Sequence, residues 1–162
     1  MTDDEETRWF RADVRGLRPG QDATQTPHWG SRYVYVTSNL EVARAFAVQR
    51  GNCSVYEVEL AGFIYDDPDY PPEYGAGCAM CDWATVVRVI EEEVDMTLDD
   101  AWKLMSRYCV WSDLSRMYDY DGYATASPEM RSIGRGADEL RQLGRYPMPE
   151  VVRKLVREIC AH

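Results

Sequence analysis

The chain has 162 residues, 45% of them hydrophobic and 28% charged, which suits one domain with a substantial core, or a domain plus a helical extension. Its net charge of −10 argues against a nonspecific grip on nucleic acid, whose phosphates would be repelled. No stretch approaches the roughly 20 apolar residues that span a bilayer, and the start (Asp3, Asp4, Glu5, Glu6) is acidic, so the reading is of a cytoplasmic protein with no signal peptide and no membrane partner.

Trp9–Val14 (W-F-R-A-D-V) is a short extended candidate, followed by a turn-rich loop with Gly16, Pro19 and Gly20. Pro27, His28, Trp29 and Gly30 lead into Tyr33–Thr37 (Y-V-Y-V-T). Alternation there places Tyr33, Tyr35 and Thr37 on one face and Val34 and Val36 on the other. Ser38 with Glu41 makes an S-x-x-E capping box that starts a helix, Val42, Ala43, Phe46 and Ala47 give it an apolar side, and Gly51 ends it. Val55–Leu60 is the next strand, and Asp66-Asp67-Pro68-Asp69 is a carboxylate turn. Prolines and glycines mark a long loop from Asp67 to Cys81, and Ala84–Ile90 is the strongest buried-strand signal.

After Val94 the pattern turns helical. Thr97 with Asp100 starts a helix carrying Leu98, Ala101, Trp102, Met105 and Tyr108. Trp111, Leu114 and Met117 or Tyr118 read as a second short helix, and Asp121-Gly122 as a turn. Pro149 opens a last helix with the stripe Val152, Leu155, Val156 and Ile159. Residues 1–94 therefore read as a β-rich core with one helix, and residues 95–162 as a helical extension packed on it in one compact unit.

Five cysteines fit a reducing compartment better than a disulfide framework. Cys78-Ala-Met-Cys81 is a C-x-x-C, but tetrahedral zinc needs two more ligands. The other cysteines are scattered, and the histidines are His28 and His162. The expectation is a loop or core pair of free thiols, with no metal site.

Over about residues 9–94 the ordered set of segments resembles the small rifamycin ADP-ribosyltransferases, within the wider fold of the ADP-ribosylating toxins and poly-ADP-ribose polymerases. That family has a first strand near Y-L-H-G-T, a second near H-I-Y-I-T running into a helix T-L-D-A-A, and a third ending at D-D-P. A last strand is similar to V-x-I-V-G-E-V. The matching segments are Trp9–Ala12, Tyr33–Thr37 with Asn39–Ala43, Val55–Gly62 before Asp66-Asp67-Pro68, and Val86–Val94. The resemblance implies an α+β fold of ADP-ribosyltransferase type, with split β-sheets, one inserted helix and here a helical C-terminal extension. It implies NAD as co-substrate, Tyr35 stacked on the nicotinamide and Asp67 as the acidic member of a triad. Arg11 stands where the family has its histidine, and another branch of the fold uses an arginine there to hold NAD. Arg11, Ala12, Tyr35, Thr37 and Ser38 are then the expected NAD contacts, and Asp67, Tyr35 and Arg11 the expected catalytic set.

The chemistry suits these residue types. Cleavage of the nicotinamide–ribose bond passes through an oxocarbenium-like state, so an aromatic platform that orients the ring and a carboxylate near the developing charge both accelerate it. The acceptor is expected to be a small molecule or a protein, with nucleic acid least favoured. The replaced histidine leaves a second reading open: a binding or inhibitor protein that keeps the fold without chemistry. A third reading is an acidic interaction protein in which the tyrosines only fill a core.

Overall fold

The computed structural model describes residues 6–28 and 30–162. Asp3, Asp4 and Glu5 of the acidic tail, Trp29, and the side chain of His28 lie outside the described residues. The chain divides into two compact units, Met1–Ala101 and Trp102–His162, so the change of character expected after residue 94 falls inside the first.

In the first unit the strands are β1 (Trp9–Val14), β2 (Thr26–His28), β3 (Ser31–Thr37), β4 (Cys53–Asp66) and β5 (Cys78–Glu91), with helix α1 (Leu40–Arg50) between β3 and β4. They form one antiparallel sheet in the order β1-β4-β5-β3-β2. The sequence predicts two split sheets; the structure has one, because β4 and β5 run 14 residues each and stay paired along their length.

A bulge divides that long hairpin. Ala61 faces Trp83 but Ile64 faces Cys81, so β4 carries one extra residue there. Gly62 sits in it at φ 80°, and Asp82 closes over it to accept the Phe63 N–H at 2.7 Å. A Cβ on Gly62 would lie 2.2 Å from the Asp82 carboxylate, so only glycine fits. Different alternate residues of β5 reach the core on either side of this point: Ala79 and Cys81 before it, Ala84 and Val86 after. Val87 and Val89 are exposed, so Ala84–Ile90 is half-buried and not the fully buried strand its composition suggests.

Two apolar clusters of described residues hold this unit. One gathers Val34, Val36, Tyr56, Val58, Cys81, Ala84 and Val86. The other seats Ala43 and Ala47 of α1 against Phe10, Ala12 and Val55; alanines let the helix approach the sheet closely. The buried Tyr56 hydroxyl donates to Val14 O and accepts the Leu17 N–H, so its polar end is satisfied. The N-cap of α1 is Asn39, not Ser38: Asn39 Oδ1 accepts the Glu41 and Val42 N–H groups. An asparagine caps as well as a serine, and here it lies one residue nearer the first turn. Gly51 closes the helix as expected.

The C-x-x-C lies within β5, not in a loop. Both thiols are buried and free. Burial pushes Cys78 up to about 12, helped by the Asp67 charge and opposed by the Thr37 hydrogen bond. Burial pushes Cys81 up to about 11, with the Arg11 charge working against it. Neither forms the thiolate that alkylation needs. Iodoacetamide at about pH 8 is expected to spare Cys78 and Cys81 in the native protein and to label both after unfolding. Peptide mass spectrometry checks this; rapid native labelling of either would contradict their burial.

Helix α2 (Leu98–Ser106) follows, its Asp100 N–H bonded to Thr97 Oγ1. The second unit contains α3 (Pro128–Ser132), a 3-10 turn at Asp138–Leu143 and α4 (Pro149–Cys160). The helix expected around Trp111–Tyr118 is absent. Leu114 has φ 67°, which a helix forbids, and the segment instead makes the bridges Val110↔Arg116 and Tyr118↔Ala124. Asp121-Gly122 is the expected turn, with Gly122 N–H bonded to Asp119 O. Met105, Val152, Val156 and Ile159 are buried, whereas Trp102 and Leu155 are half-buried. Among the described residues no helix is long and apolar enough to cross a membrane.

Candidate functional site

Strands β1 and β3 share a single residue pair, Phe10↔Thr37, and a cavity of about 300 Å³ lies between Phe10, Arg11 and Ala12 on one strand and Tyr35, Val36 and Thr37 on the other. Its remaining walls come from Thr26 and Pro27 of β2, Phe46 and Arg50 of α1, and Asp67, Asp69 and Tyr70 of the turn after β4. Four aromatic rings and an acidic turn thus surround one space, at the small end of ligand-pocket volumes.

Tyr35 is half-buried on the face of β3 that also carries Tyr33 and Thr37. Burial raises the pKa of its phenol first, and the negative charges of Asp67 and Asp69 add to that. The tyrosine hydroxyl therefore stays protonated, and the acidic turn acts on it electrostatically. Asp67 is only 4% exposed. Its Oδ1 accepts the Asp69 N–H at 2.8 Å and the Tyr70 N–H at 3.4 Å, an Asx turn that fixes the carboxylate. Tyr70, set by the same turn, meets Phe46 edge-on with ring centres 5.7 Å apart, a favourable aromatic geometry.

Arg11 borders the cavity, but its guanidinium belongs to the scaffold. It is 3% exposed. Nε donates to Asp13 Oδ2 at 2.8 Å, Nη1 to Tyr35 O at 2.7 Å and Nη2 to Thr24 O at 2.6 Å. Every nitrogen makes one of these bonds and the group is buried, so the guanidinium is held in place as part of the scaffold and is poorly placed for the expected grip on ribose or phosphate. The group instead ties β1 to the Tyr35 backbone and to the 22–25 loop. Burial draws the Arg11 pKa down, and Asp13 opposes that by charge and hydrogen bond. Burial pushes the Asp13 carboxyl up, but Arg11 and the Thr24 N–H outweigh it and hold Asp13 below its ordinary value.

The other expected contacts divide. Ala12 and Thr37 line the cavity, but Thr37 Oγ1 already donates to Ala76 O and accepts from Asn39 N. Ser38 is exposed, does not line the cavity and donates to Gly77 O. Phe46, read from the sequence as core, is a wall of the cavity. Arg50 carried no signal at all: a basic residue in the last turn of a helix reads simply as compensation for the macrodipole. Phe46 and Arg50 are four apart on α1 and so share one helical face, which a helical projection shows once the cavity side is known. Among the described residues no group of three or more histidine, cysteine or acidic side chains is placed to hold a metal.

No protein-family model matches the sequence, and no curated protein is significantly similar to it.

Proposed function

We propose that this cavity binds NAD and that the protein transfers ADP-ribose from it, releasing nicotinamide. One observation carries the reading: Tyr35 and Asp67, far apart in the chain, line one aromatic-walled cavity, the pairing of platform and carboxylate that the resemblance to ADP-ribosyltransferases implies. In this scheme Tyr35, with Phe46 and Tyr70 nearby, holds the nicotinamide ring. The Asp67 carboxylate faces the positive charge that grows on the ribose as the bond to nicotinamide lengthens. Arg11 contributes by holding Tyr35 in place through its carbonyl. The leaving nicotinamide takes the bond electrons, and an acceptor nucleophile then bonds to the ribose carbon and gives up its proton.

The second reading, a protein that binds NAD without turning it over, is favoured by one feature. Where the family's histidine would meet the ribose, this chain has a guanidinium already held by three protein oxygens.

Calorimetric titration with NAD, followed by a nicotinamide-release assay over a panel of small-molecule and protein acceptors, separates the two. Binding with release is the expected result; binding without release across the panel favours the second reading; no binding removes both. Tyr35→Ala is expected to weaken NAD binding itself by about tenfold, because an aromatic contact is worth about 0.5–1.5 kcal/mol beyond the area it buries. Unchanged affinity in a folded Tyr35→Ala variant would mean that the tyrosine is not the platform.

A further inference from the structure

We infer that Arg50, and not Arg11, is the cation that receives the ligand's phosphate. This deepens the NAD reading above and rests on it. Two arginines border the cavity. Arg11 is buried, ion-paired to Asp13 and bonded through all three nitrogens. Arg50 is exposed; among the described residues the only hydrogen bond of its side chain runs from Nη1 to Ala12 O at 3.3 Å, and no carboxylate lies within ion-pair distance of it.

That one bond matters. It anchors the guanidinium against β1 at the cavity rim while leaving Nη2 and Nε to donate elsewhere. A planar fork with donors to spare, held but not neutralised, is the arrangement that binds a phosphate through paired hydrogen bonds. Burial is the main reason that the Arg11 pKa is lowered, and the like charge of Arg50 adds a smaller push in the same direction, so an anion at Arg50 offsets that repulsion as well as gaining an attraction.

The cavity is electrically divided in consequence. Asp67 and Asp69 supply negative charge beside Tyr35, and Arg50 supplies positive charge beside Ala12. Phe46, one turn before Arg50 on the same helical face, borders the space with its ring. A ligand with a cationic ring and an anionic group beyond a sugar matches that order, and the nicotinamide nucleotide half of NAD is such a molecule: pyridinium toward the carboxylates, ribose between, phosphate at Arg50. The small cavity leaves the adenosine half outside.

The experiment is calorimetry at low salt with three probes: NAD, nicotinamide mononucleotide, and nicotinamide riboside, which has no phosphate. Arg50→Ala is expected to weaken NAD and the mononucleotide by about 10–100-fold, the range for a hydrogen bond to a charged group, and to leave the riboside unchanged. Arg50→Lys should restore part of the loss, and the difference should shrink as salt screens the charge. Arg50→Gln keeps a donor for Ala12 O while removing the charge, so it should bind as poorly as the alanine variant if the fold is intact. NAD affinity unchanged in Arg50→Ala and Arg50→Gln overturns the inference and leaves the NAD reading standing. Equal weakening of all three probes overturns it too, since the arginine would then only shape the pocket. Wild-type protein that binds none of the probes removes the NAD reading and this inference together.

Discussion

Asp67→Asn is expected to slow nicotinamide release by about 10²–10³, far more than it weakens NAD binding. The substitution is close to isosteric, and asparagine keeps an Oδ1 to accept the Asp69 and Tyr70 N–H groups that define the turn. What it removes is charge at a carboxylate 4% exposed to water, where screening is weak and an electrostatic contact is strong. That charge has most to act on when the ribose becomes cationic, so the loss falls on kcat more than on binding. Single-turnover release beside NAD titration reads the two separately. A variant that turns over NAD at the wild-type rate would reduce Asp67 to a turn residue and end its catalytic assignment.

Asp13→Ala is expected to destabilise the protein by about 3–5 kcal/mol, because it leaves the buried Arg11 guanidinium without its counter-charge. The carboxylate also accepts the Thr24 and Val14 N–H groups, both within 2.8 Å, so three donors lose a partner at once. Urea unfolding of native and variant proteins measures the difference. The pH dependence has a definite sign. Asp13 sits below its ordinary value of 3.8 in the folded state, so its contribution is complete above about that pH and erodes as the pH falls from there through the lower folded value. Native protein should therefore lose stability on acidification in that window more steeply than Asp13→Ala. Parallel acid profiles, or a variant within about 1 kcal/mol of native, would contradict a net stabilising ion pair.

Local patterns made much of this fold legible. Alternation in Y-V-Y-V-T placed the Tyr35 face correctly, since Val34 and Val36 had only the core to enter. Gly51, Pro149 and Thr97 marked helix ends through backbone chemistry that tertiary context did not override. The failures have a common cause, which is dependence on distant partners. The extension of β4 and β5 past Leu60 and before Ala84 arises from pairing with each other across a bulge that depends on Gly62 meeting Asp82. Trp111–Tyr118 has helical spacing, yet cross-strand bridges to Arg116 and Ala124 claimed its backbone.

At the cavity, position along the chain indicated that Tyr35, Asp67 and Arg11 could converge, and all three border it. It could not reveal that Arg11 would be consumed by Asp13, Thr24 and Tyr35, because two of those acceptors are backbone carbonyls and carry no sequence signature. For the same reason Arg50 was invisible: its neighbour is the carbonyl of Ala12.

The hydrogen bonds of Arg11 also bear on how this chain could change over generations. A histidine at position 11 would match the first-strand residue of the rifamycin enzymes, yet an imidazole is shorter and has at most two donors where Arg11 serves three acceptors. Asp13 would be left as a buried anion and the carbonyls of Thr24 and Tyr35 would lose their partners, a penalty on the order of a domain's whole margin of stability. The exchange becomes neutral only if position 13 and the 22–25 loop change with it. Arginine at this position is thus entrenched by its own surroundings.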